Sequence, residues 1–170
     1  MIRVVVDDLA VRSTDAIVRP VTARLDAASS AGRRVEEAGG TEFTSRLRLQ
    51  KDLAVGAAVV TGGGGGLPAE FVIHAVIQND TEPVAPKNVA RAWLSALQRA
   101  REWEFARLTV PPLGTGTGNL SVDDAAGLMV TVVMQFGGLS FPQDVCVVVD
   151  SPEDLVAFEA AVRRAEAAQS

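Results

Sequence analysis

The stretch TVPPLGTGTGNLSVDDAA, residues 109–126, decides how the rest of the chain is read. A short apolar run ends at Pro111 and Pro112. Gly114, Gly116 and Gly118 then alternate with threonines, and Ser121, Asp123 and Asp124 open a second apolar run. Serine is a favoured helix cap, and acids in a first turn complement the positive end of the helix dipole. The spacing therefore predicts a strand, a glycine-rich turn and a helix over 121–135. At such a junction the first helical N–H groups lack partners inside the helix, and glycines let the backbone approach a ligand. Two readings of the turn are open: a tight structural turn without a ligand, or a cradle for phosphate or another anion. Asn119 stands where a dinucleotide fingerprint has glycine, and no Gly-Lys-Ser/Thr follows, so neither of those two motifs is present.

Strand and helix alternate on both sides of this turn. Strands are predicted over 2–6, 15–18, 57–61, 70–77, 106–110 and 145–149. Helices are predicted over 29–38, 41–51, 87–104, 121–135 and 151–168, with Gly39 and Gly40 separating the first two. On the longest helix Ala90, Trp93, Leu94, Leu97 and Ala100 recur at spacings of three and four and draw one apolar stripe. Trp93 and Trp103 read as packing residues. The run Gly62–Gly66 reads as a hairpin or loop tip, and SPED at 151–154 as a cap, a proline in the first turn and two acids. This order implies a single α/β domain over 1–170, a three-layer α/β/α sandwich around a mixed, mostly parallel sheet. Ligands in such folds sit at the carboxyl ends of the strands.

Composition narrows the function classes. Apolar residues are 48% and charged residues 22% of 170, the balance of a soluble globular chain. The net charge is −5, against the basic face of a general nucleic-acid binder. Arg33 and Arg34 alternate with Glu36 and Glu37, as Arg99 and Arg101 do with Glu102 and Glu104, and both clusters read as solvated helix faces. The apolar runs are strand-length and interrupted, so no membrane span is expected. The opening MIRVVVDDLA lacks the basic region and long apolar stretch of a leader. Cys146 is the one cysteine, which points to a reducing, cytoplasmic setting and reads as core. His74 is the one histidine and lies in an apolar strand, where a core role is expected. One histidine and one cysteine cannot assemble a zinc site of the usual ligand types, so neither that metal nor a cofactor is expected; carboxylate-bound metals stay open.

Several segments in one order resemble the macrodomain family, the module that binds ADP-ribose. They are VVVDDLAVRSTDAIV at 4–18, ARLDAASSAG at 23–32, EAGG at 37–40, VGAAVVTGGGGGLPAEFVIHAV at 55–76 and VPPLGTGTGNL at 110–120. The resemblance implies that Asp8 accepts a hydrogen bond from the adenine amino group, with the Leu9 N–H near the base. It implies two loops around the diphosphate. One is Ala28, Ser29, Ser30, Ala31 and Gly32, and the other is Gly114, Thr115, Gly116, Thr117 and Gly118, with Asn119 near the distal ribose. Thr22 falls where the family has the last asparagine of an NAAN motif.

The departures matter as much. RPVT at 19–22 replaces NAAN, placing Arg19 and Pro20 at the end of the predicted strand, which counts against hydrolysis. The first loop keeps only one glycine. No aromatic ring stands near Val149 or Asp150. The expectation is a divergent macrodomain that binds ADP-ribose, or a related nucleotide diphosphate, free or protein-attached, more weakly than typical members. The alternatives are an ADP-ribosyl hydrolase, including one acting on ADP-ribose-1''-phosphate, and a scaffold that has lost its ligand.

Overall fold

Among the described residues, runs rich in β-branched side chains build six strands: β1 (Ile2–Val6), β2 (Ala16–Thr22), β3 (Ala58–Gly62), β4 (Phe71–Gln78), β5 (Arg107–Val110) and β6 (Asp144–Val149). In the computed structural model, which describes residues 2–47, 52–116, 119–137 and 140–169, they form one sheet in the order β1-β6-β5-β2-β4-β3. All neighbours run parallel except β3 and β4, which are antiparallel. A short 3-10 turn, Leu9–Val11, follows β1. Among the described residues four helices cover the sheet: α1 (Ser30–Leu47), α2 (Pro86–Glu102), α3 (Val122–Phe136) and α4 (Pro152–Ala168).

The strand period of two sorts the apolar residues into two cores. On one face Val35, Phe43 and Leu47 of α1 meet Ile17, Val21, Val72, Val76, Cys146 and Val148. On the other, Trp93, Leu97, Met129 and Phe158 of α2, α3 and α4 meet Val18, Ile73, Leu108 and Val147. This is the three-layer α/β/α architecture with a mixed, mostly parallel sheet that the alternation of elements predicts. Ser121 accepts from the Asp124 N–H at 3.0 Å and Ser151 from the Asp154 N–H at 3.2 Å, so both expected caps form, each worth about 1 kcal/mol.

Three expectations need correction. The strand predicted to end at Val18 continues through Thr22, because β2 lies inside the sheet and pairs with β4 along its length. The helices predicted over 29–38 and 41–51 run as one element with a kink at Gly40, and residues 48–51 lie outside the described residues. The buried face of α2 is Val89, Ala92, Trp93, Ala96, Leu97 and Ala100, whereas Leu94 is 39% exposed. The helix is rotated relative to the predicted stripe because its alanines face the sheet, where their small size allows close approach. Trp103 is half exposed, and its ring rests on Phe71 and Phe105 at 5.2 and 5.9 Å between centroids. The glycine run links antiparallel β3 and β4, as a hairpin connection should, and the Gly66 N–H donates to the Ala38 carbonyl of α1 at 2.7 Å.

Candidate functional site

Loops leaving β1, β2, β5 and β6 converge at the carboxyl edge of the sheet. Leu9, Ser29, Ser30, Ala31, Thr115 and Gly116 line one cleft there, together with Arg34, Pro111, Pro112, Val148, Asp150 and Asp154. Parallel strands put all four loops at one edge, which is why residues far apart in sequence meet. The cleft encloses about 60 Å³, against roughly 300–1,000 Å³ for typical small-molecule pockets.

Its narrowness has a local cause. A Cβ built on Gly116 would lie 2.7 Å from the Ser29 Cβ and 2.9 Å from the Ala28 carbonyl oxygen, so the two loops touch and only glycine fits. Gly114 answers to the fold instead. Its φ is +88°, and a side chain there would strike Leu120 and Val89. The Ser29 hydroxyl accepts from the Gly32 N–H at 3.0 Å, which closes the first turn of α1.

The remaining expected site residues have other partners. Asp8 holds the turn after β1 by accepting from the Ala10 N–H at 3.0 Å, and the same carboxylate oxygen lies 3.4 Å from Arg34 Nε. Asp7 accepts from the Asp8 N–H and pairs with Arg12, which together hold its carboxyl below the usual range. Thr22 Oγ1 accepts from the N–H groups of Arg24 and Asp26, both at 3.3 Å. Thr22 lines a separate depression of about 180 Å³ with Asp26, Asp52 and Asp80, so it does not join the cleft. Asn119 Nδ2 donates to the Val84 carbonyl at 3.0 Å and anchors the end of its loop. Thr117 and Gly118 lie outside the described residues.

Arg34 is the lining residue that sequence reading placed on a solvated face. It bridges to Asp150 at 2.9 Å, and its two acidic partners stand near opposite ends of the chain, where no local pattern connects them.

Arg19 does not point into the cleft. In the strand alternation it falls with Ile17 and Val21 and enters the core beneath α1, fully buried. Its guanidinium donates to Glu36 Oε1 at 2.7 Å, to the Leu25 carbonyl at 2.9 Å and to His74 Nδ1 at 3.0 Å, and it faces the Phe43 ring at 5.6 Å. Burial lowers its pKa and Glu36 opposes that shift. Because Nδ1 accepts, His74 is held neutral with its proton on Nε2, donated to Thr61 Oγ1 at 2.7 Å.

A pH dependence follows from this ring. Burial, and secondarily the Arg19 charge, lower the His74 pKa well below 6.5. The unfolded ring titrates near 6.5. As pH falls through that value, the unfolded chain takes up a proton that the folded chain refuses. The His74 contribution should therefore be constant above about pH 7 and reduce stability as pH falls below about 6.5, by at most about 1.4 kcal/mol per pH unit. Urea midpoints between about pH 8 and pH 5 check this. A midpoint unchanged down to pH 5 would mean that the ring is protonated in place without cost.

Among the described residues, no group of three or more histidine, cysteine, aspartate or glutamate side chains could hold a metal ion. No helix among them is long and apolar enough to cross a membrane.

Comparison with known proteins is consistent across sequence and structure. Residues 18–129 match the Macro domain family. An uncharacterized protein of Mycobacterium tuberculosis is 33% identical over 119 residues, which cover 70% of this chain and 33% of that protein. The chain thus spans about a third of the length of this mycobacterial relative. A macro domain-containing protein of Caldanaerobacter subterraneus is 27% identical over 141 residues, 79% of this chain and 80% of that one. Among solved structures, a point mutant of the Oceanobacillus iheyensis macrodomain with ADPR superposes with a TM-score of 0.87 at 22% identity, covering 98% of this chain and 94% of that one. The Trypanosoma brucei macrodomain in complex with ADP-ribose gives 0.83 at 17% identity, with 95% and 68% covered. At these identities the structural likeness is one of fold.

Proposed function

This chain belongs to the Macro domain family, and from that premise we propose that it is a divergent member binding ADP-ribose, or a related nucleotide diphosphate, in the cleft between residues 28–32 and 114–119. The observation that carries this reading is the meeting of Gly116 with the first turn of α1 at the carboxyl edge of the sheet. Helix N-terminal N–H groups and a glycine-rich backbone there supply positive potential without basic side chains, which suits an acidic protein and an anionic ligand. Asp8, whose carboxylate lies 3.4 Å from the lining residue Arg34, is the group we assign to accept from an adenine amine. ADP-ribose is larger than the narrow cleft, so binding requires Gly116 to part from Ser29. That movement opposes affinity and agrees with a binder weaker than typical members. Thr22 faces a different depression and its hydroxyl is occupied by backbone N–H groups, which counts against hydrolysis.

Calorimetric titration of ADP-ribose, with AMP and ribose-5-phosphate as controls, tests the reading. Selective binding in the micromolar range, about −8 kcal/mol, is expected. Absence of heat at millimolar ADP-ribose would instead identify a scaffold whose cleft stays shut.

A further inference from the structure

At the mouth of the cleft one guanidinium sits between two carboxylates. Arg34 Nη2 lies 2.9 Å from Asp150 Oδ1, and Nε lies 3.4 Å from Asp8 Oδ1. The three side chains come from α1, from the loop after β6 and from the loop after β1, so Arg34 spans the opening. The Asp150 contact has the length of a strong charge-assisted bond, whereas the Asp8 contact is longer and weaker. Exposed ion pairs of this kind contribute little, and the Arg34 side chain is 35% exposed. The contact to Asp8 can therefore be exchanged at small cost while the contact to Asp150 persists.

The surroundings indicate what the guanidinium is for. Leu9, Pro111, Pro112 and Val148 give the cleft an apolar side beside the polar Ser29, Ser30, Thr115, Asp150 and Asp154, and no aromatic ring lines it among the described residues. A guanidinium is planar, weakly hydrated and stacks on ring faces, which an ammonium cannot do. Resting on the nucleotide-binding reading above, we propose that Arg34 is the residue that holds the base: it pivots on Asp150, releases Asp8 to accept from the exocyclic amine of an adenine, and lays its plane on the ring. The ligand class selected is then an amine-bearing purine nucleotide diphosphate. Arg34 also offsets Asp8, Asp150 and Asp154, whose charges would otherwise repel a diphosphate.

The planar and charge contributions separate in two variants. ADP-ribose is titrated calorimetrically into the wild-type chain, Arg34→Lys and Arg34→Ala, with thermal melting of each. Lysine keeps the charge and loses the plane. Arg34→Lys should bind about tenfold more weakly than wild type and Arg34→Ala more weakly still, both at unchanged melting temperature. Wild-type affinity in Arg34→Lys would reduce the role of Arg34 to its charge and overturn the proposal. Tighter binding by Arg34→Ala would also overturn it, because Arg34 would then be a plug. A wild-type chain that takes up no ADP-ribose would remove the nucleotide-binding reading itself, an outcome distinct from the other two.

Discussion

Replacing Gly116 by glutamate should lower ADP-ribose affinity by about a hundredfold or more, roughly 2.7 kcal/mol, while the protein still folds. The electrostatic effect decides the direction, because a side chain here forces apart loops that must part for the ligand in any case. Any side chain at this position meets Ser29 Cβ at 2.7 Å and the Ala28 carbonyl at 2.9 Å, so the two loops cannot keep their approach. The added carboxylate would then stand beside the diphosphate and cancel the potential of the α1 N-terminus. Stability should change by no more than about 1 kcal/mol, because Gly116 itself is exposed. Calorimetry and thermal melting read the two effects separately. A folded Gly116→Glu variant with wild-type affinity would place the ligand away from this loop. Gly116→Ala should bind close to wild type, since it parts the loops as binding does and adds no charge.

The largest effect on stability is expected at Arg19. Arg19→Met should lower the unfolding free energy by about 3–5 kcal/mol, measured by urea titration, because it leaves polar groups without a partner under α1. Glu36 loses its counter-charge, and the Leu25 carbonyl and His74 Nδ1 lose their donor. Adding Glu36→Gln should recover part of the loss, because the stranded charge is then gone; residues joined by a 2.7 Å contact are not expected to behave additively. A loss below about 1 kcal/mol in Arg19→Met would mean that α1 is held by its apolar face alone. Arg19 meets its carboxylate at Glu36, in the core and not at a ligand.

The physical division between what could be read early and what could not runs through particular residues. Strand-length apolar runs, the Ser121 and Ser151 caps and the alternation of elements are local signals. They depend on neighbours within a few positions, and they yielded the layers, the mixed sheet and the family likeness. The glycine-rich turn was legible for the same reason, although Gly114 serves packing against Leu120 and Val89 while Gly116 serves the approach of another loop. Arg19 was nearly legible: continuing the period of two past Val18 places it on the face of Ile17 and Val21, and only the assumed end of the strand concealed that. Arg34 was not legible, because what distinguishes it from an ordinary solvated arginine is two carboxylates brought from near the chain termini by parallel strand pairing. The sequence by itself determined the elements, the family and the glycine-rich loop, since these follow from short-range propensity and pattern. Only the tertiary structure decided that the cleft is nearly closed, that Thr22 faces a different depression and that Arg34 spans the mouth, because each depends on distances between segments that no local preference sets.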